Sequence, residues 1–132
     1  MTRILISEPD HQVRRLLERM LTRLGHEPVA VRVPAPDQFT DADLFVVEPA
    51  APLGAVLAQA ASIAHPALPI VCASVTAPPP ELAELGVVFT AALVKPFTIE
   101  QLDAAIEAGL RERGARRNAQ RTGDPWRGDR AA

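Results

Sequence analysis

Lysine is nearly missing from this chain: of fourteen basic residues only Lys95 is not an arginine. Cysteine is reduced to Cys72 alone, which excludes an internal disulfide and removes any need for an oxidising compartment. Aromatic residues make up 4% against 48% hydrophobic, so a core has to be assembled from Ala, Val, Leu and Ile. No apolar run approaches the roughly 20 residues of a membrane span. Ile4-Leu5-Ile6 is also too short for a secretory signal, so the expected location is the cytoplasm and no membrane partner is expected. A glycine-rich phosphate loop, a Gly-x-Ser-x-Gly elbow and a Cys/His metal cluster are all missing, and His11, His26 and His65 are scattered. These gaps disfavour the common hydrolase, kinase and zinc chemistries, and no enzyme activity is expected.

The 132 residues suit one domain with its own core. The net charge of −2 conceals a division: from Arg111 onward seven arginines face three acids, a balance of +4 that leaves residues 1–110 at −6. The reading is therefore a folded domain over residues 1–113 and a basic flexible tail over 114–132. Such a tail touches nucleic acid only weakly, through salt-sensitive arginine contacts.

Apolar patterning alternates between two periods along the chain. Arg3–Ser7 reads as a buried strand, and Asp10 as the N-cap of a helix carrying Val13, Leu16, Leu17, Met20, Leu21 and Leu24 on one stripe, ended by Gly25. Pro28 to Val33 reads as a second strand, followed by room for one helical turn before Asp43. Leu44–Val47 is the third strand, closed by Glu48. A helix over Leu53–Ala64 is expected to turn Leu53, Val56, Leu57, Ala60 and Ile63 inward. Pro69–Ala73 is the fourth strand, closed by Ser74, and Glu81–Leu85 a short helix stopped by Gly86. A fifth strand lies within Val87–Val94, and Thr98 with Gln101 forms a capping box for a last helix, with Ile99, Leu102, Ile106 and Leu110 on one face, that ends near Gly114. Five strands alternating with helices predict an α/β fold with a doubly wound parallel sheet, helices on both faces, and shortened second and fourth helices.

In such a sheet ligands bind beyond the carboxyl ends of the strands. Four of those ends carry Glu8, Glu48, Ser74 and Lys95, two carboxylates with a hydroxyl and an ammonium, a set suited to a phosphoryl group and a divalent cation. The same rim allows a minor alternative, an enzyme acting on a small phosphorylated molecule.

With these residues in place, the sequence resembles the response-regulator receiver domains of two-component signalling, of the flavodoxin-like, CheY-like type. The resemblance covers residues 2 to about 113 and is carried by Arg3-Ile4-Leu5-Ile6, Ala42-Asp43-Leu44-Phe45-Val46-Val47, Leu68-Pro69-Ile70-Val71 and above all Leu93-Val94-Lys95-Pro96-Phe97. It implies a phosphoacceptor at the end of the third strand, a magnesium-binding acid pair after the first, phosphoryl-sensing roles for Ser74 and Lys95, and a cis bond before Pro96. A histidine kinase or a downstream regulator is the implied partner, with homodimer contact on the face of the fourth helix, fifth strand and fifth helix.

The chain departs from that pattern where the chemistry is densest. The acceptor position holds Glu48, whose extra methylene lets it pair with Lys95 without phosphate. The acid pair reads Glu8-Pro9, and proline offers a metal no oxygen; Asp10 is the candidate substitute, competing with its role as a cap. The switch aromatic is replaced by Ala92. The resulting expectation is an atypical single-domain response regulator acting by protein–protein interaction, independent of phosphorylation, with no cofactor beyond weak Mg2+. The alternative is a working phosphoacceptor receiver.

Overall fold

Five short apolar runs build one parallel sheet, in the order β2-β1-β3-β4-β5. The computed structural model describes residues 2–122. Its strands are β1 (Arg3–Ser7), β2 (Glu27–Ala30), β3 (Leu44–Val47), β4 (Ile70–Ser74) and β5 (Ala91–Val94). Between and after them lie α1 (His11–Arg23), α2 (Pro36–Thr40), α3 (Pro52–Ala64), α4 (Pro80–Glu84) and α5 (Ile99–Thr122). The expected five-stranded, doubly wound architecture is present, and α2 and α4 are five residues each.

Local chemistry sets the element ends. Asp10 accepts hydrogen bonds from the amides of Gln12 and Val13, satisfying two of the donors that α1 leaves open. Gly25 and Gly86, both at φ 88°, close α1 and α4 with paired bonds from the glycine and the residue after it back onto the last turn. Thr98 and Gln101 exchange side chain to backbone bonds of 2.8 and 3.1 Å, the expected capping box. Pro28 is tolerated within β2 because β2 is an edge strand.

Alternation along the strands sends side chains to two cores. Leu5, Phe45, Val47 and Ile70 pack under α2, α3 and α4, against Phe39, Leu57, Ala61 and Leu82. Ile4, Ile6, Leu44, Val46 and Val71 pack on the other face under α1 and α5, against Leu17, Leu21, Leu102 and Ile106. Fully burying each of these aliphatic side chains contributes about 1.5–3 kcal/mol.

Several expectations need correction. The second strand spans Glu27–Ala30 rather than Pro28–Val33; the fifth, Ala91–Val94, lies within the expected Val87–Val94. On α3, Leu53, Val56 and Ile63 face solvent, and the buried stripe is Gly54, Leu57, Ala58 and Ala61. A helix with apolar residues all round gives no periodic signal; here a glycine contact decides its rotation. Leu16 of α1 is likewise exposed. The last helix does not stop near Gly114 but continues to Thr122. Arg113 holds that turn in place by donating to the carbonyl of Ala42 at 2.9 Å and to Asp43 Oδ1 at 2.8 Å. The remainder of the expected tail, 123–132, lies outside the described residues.

Candidate functional site

Register brings the polar strand ends level. Ser7 pairs with Val47, Val47 with Cys72, and Ser74 with Val94, so the residues just beyond them share one rim. Two backbone bonds extend the ladder by a step: Glu48 N–H donates to the Ser7 carbonyl at 3.0 Å and Lys95 N–H to the Ser74 carbonyl at 2.9 Å. Strands stand about 4.8 Å apart, so from β5 only a long side chain can cross the end of β4 and reach β3 and β1. Lysine has that length. The Lys95-Pro96 peptide bond is cis.

Lys95 Nζ donates to Oε1 of Glu8 and, at 3.2 Å, to Oε1 of Glu48. Each carboxylate has a second partner in its own loop: Glu8 Oε2 accepts from Asp10 N–H at 3.2 Å and Glu48 Oε2 from Ala50 N–H at 3.3 Å. The three side chains are 15%, 4% and 10% exposed for Lys95, Glu8 and Glu48. Burial works against the ammonium charge, but hydrogen bonds and Coulomb attraction from Glu8 and Glu48 outweigh it and hold the Lys95 pKa above its ordinary value. Beneath the cluster, burial pushes the Cys72 thiol up to about 11, with Glu48 adding to the shift and Lys95 opposing it.

Gly54 fixes where Glu48 sits. A Cβ on Gly54 would lie 1.9 Å from the Glu48 carbonyl oxygen, so α3 packs against the loop after β3 more closely than any side chain permits.

Ser74 is also buried at the rim, yet its hydroxyl turns to Thr76, accepting from Thr76 N–H at 3.3 Å and lying 3.4 Å from its Oγ1. Asp10 is committed to capping α1, and Pro9 is exposed. Magnesium is usually held by one or two carboxylates with waters completing a near-octahedral set, and the arrangement here leaves neither carboxylate of the rim free for it. Glu8 and Glu48 are both held by Lys95, Asp10 faces its own helix, and no group of three acidic, His or Cys side chains among the described residues converges on a metal position. Ala92 is exposed on β5 and supplies no ring.

Sequence reasoning placed Glu48 against Lys95 but assigned Glu8 to a metal, missing that both acids meet the one ammonium. It also missed the opposite end of the sheet, where Asp43 accepts from the Arg3 amide at 2.8 Å and from Arg113. The signal available there was a single acid placed immediately before a buried strand.

The strand order and the alternation with five helices are those of the CheY-like response-regulator receiver fold. No model of a known protein family matches the chain, and no curated protein matches it. Solved structures do. Chemotaxis protein CheY4 of Vibrio cholerae is 21% identical, with a TM-score of 0.68 over 81% of this chain and 97% of that one. A CheY-like receiver domain protein from Methanospirillum hungatei is 18% identical, with a TM-score of 0.74 over 88% and 98%. The receiver domain of a sensor histidine kinase from Pseudomonas aeruginosa is 19% identical, with a TM-score of 0.69 over 83% and 97%, and that structure has a magnesium ion coordinated in its active-site cleft.

Proposed function

We propose that the protein is an atypical response regulator of two-component signalling whose output is a contact with another protein and whose active-like arrangement does not depend on phosphorylation. One observation carries the reading: at the rim where relatives of this fold would handle a phosphoryl group, Lys95 is already engaged by Glu48 and Glu8. In-line attack on a phosphodonor needs a free carboxylate and a metal to neutralise the incoming charge. Here the carboxylates are shared with lysine and the metal ligand set is short by the oxygen that Pro9 lacks, so the reading includes at most weak Mg2+ binding, and no catalysis. The working location is the cytoplasm.

The contact surface in this reading is the face of α4, β5 and α5, where Leu85, Val88 and Val94 are 54%, 69% and 65% exposed. Its occupant is a histidine kinase, a downstream regulator or a second copy of the chain, while nucleic acid contributes only through the arginines beyond Arg111. Incubation with a small phosphodonor and magnesium, read by intact mass, tests the central claim. An unchanged mass is expected, and a phosphate adduct overturns it. A working phosphoacceptor is the second reading, favoured by the retention of Ser74 and Lys95 at the rim, and it requires an acid to release the lysine first.

A further inference from the structure

Beside the ion cluster, on the far side of Glu8, a cleft of about 290 Å³ opens between the start of α1 and the start of α3, over the ends of β1 and β2. Two guanidinium groups line it from different elements, Arg14 from α1 and Arg32 from the segment after β2. Arg32 is exposed and forms no ion pair among the described residues. Arg14 is only partly committed: its Nη2 lies 2.7 Å from His11 Nδ1 and its Nε 4.0 Å from Glu18 Oε1, which leaves donors of its fork unused. One acid lines the cleft, Glu8, and the Lys95 that pairs with it is shared with Glu48. The charged lining is two arginines against that one carboxylate, a formal balance of +1.

The remaining lining is mostly apolar, with Val31, Pro9 and Leu53 among it. α2 has only five residues and contributes none of the lining, so the ends of β1 and β2 are left open where a longer helix would begin. Two forked cations above an apolar floor suit a ligand with a doubly charged oxyanion at one end and a ring at the other. The volume stands at the lower edge of small-ligand sites, roughly 300 Å³, enough for one such molecule.

We infer that this cleft binds a small phosphate monoester bearing a single ring system, with nucleoside monophosphates as the class. It goes beyond the phosphorylation-independent reading, because it concerns Arg14 and Arg32 rather than Glu48 and stands whether or not Glu48 accepts phosphate.

Titration calorimetry of the full chain with the four nucleoside monophosphates, inorganic phosphate and adenosine tests it, backed by amide shift mapping. At least one nucleotide should bind, shifting the amides of Ala30 to Arg32 and Leu53 to Gly54. Arg32→Gln and Arg14→Gln should each weaken binding by about tenfold through loss of one charge-assisted contact. Arg19→Gln, on α1 but outside the cleft, should change nothing. The inference is overturned if no nucleotide binds at millimolar concentration, if both cleft variants bind like the parent protein, or if phosphate alone or adenosine alone binds as tightly as the nucleotide. Circular dichroism of each variant checks that the fold is retained.

Discussion

Lys95 and Glu8 are 87 positions apart in the chain, yet the ammonium of one donates directly to the carboxylate of the other, and Glu48 completes the group from 3.2 Å. Two acids on one base leave the buried cluster with a single formal negative charge. The carboxylates that carry it accept hydrogen bonds from the Lys95 ammonium and from the amides of Asp10 and Ala50. Removing the lysine exposes both acids to an uncompensated low-dielectric site.

Lys95→Met should therefore destabilise the protein by about 3–5 kcal/mol in urea melts. Adding Glu8→Gln and Glu48→Gln to it should recover most of the loss, because the buried charges go with their partner. A single variant that costs less than about 1 kcal/mol, the range of a surface pair, would show that the cluster contributes little.

Stability should fall in strongly alkaline solution. A lysine pKa raised in the folded state means that the stabilisation is complete below lysine's ordinary 10.5 and is lost as pH climbs through the raised folded value. Urea midpoints compared at pH 8 and pH 11.5 should show this decline, and Lys95→Met should lessen it, the remainder coming from Cys72, whose raised thiol pKa also favours the unfolded chain at high pH. An equal decline in both proteins would place the titration elsewhere.

Cys72 should behave as an inert core residue. It is buried, with its thiol pushed up to about 11, so almost no thiolate is present at neutral pH. A thiol reagent at pH 8 should label the denatured chain promptly and the native protein only at the rate of opening. Prompt native labelling would contradict the packing of β4 against the rim.

Gly54 should resist replacement although it stands inside a helix. Alanine there gains about 1 kcal/mol in helix propensity. Its Cβ, however, would fall 1.9 Å from the Glu48 carbonyl oxygen, a clash that backbone movement has to relieve. Gly54→Ala should cost about 1–3 kcal/mol net, the usual range for overpacking, and should displace the Lys95 resonances in NMR spectra. Neutral stability would mean that the loop from Glu48 to Pro52 yields easily.

Restoring the missing acids tests how much of the rim is ready for metal. Glu48→Asp with Pro9→Asp should shorten the reach to Lys95, supply a further oxygen, and raise magnesium affinity at least tenfold by titration, about 1.4 kcal/mol. No gain would show that the backbone of the loops after β1 and β3, and not only their side chains, excludes the ion.

Much of this protein is written locally. The runs Arg3–Ser7 and Leu44–Val47, the caps at Asp10 and Thr98, and the stops at Gly25 and Gly86 each depend on a few adjacent residues, so the alternating architecture and the polar strand ends could be read without coordinates. Tertiary structure alone decided the rest. The rotation of α3 follows from Gly54 meeting the Glu48 main chain, and apolar residues on every side of that helix carry no periodic cue. α5 is tied to the sheet where Arg113 reaches Asp43, seventy positions earlier, beside a glycine that reads as a stop in the sequence. The meeting of Glu8 with Lys95 depends on strand order and register across β1, β3, β4 and β5. Those are set by the packing of whole faces, which no short window of sequence contains.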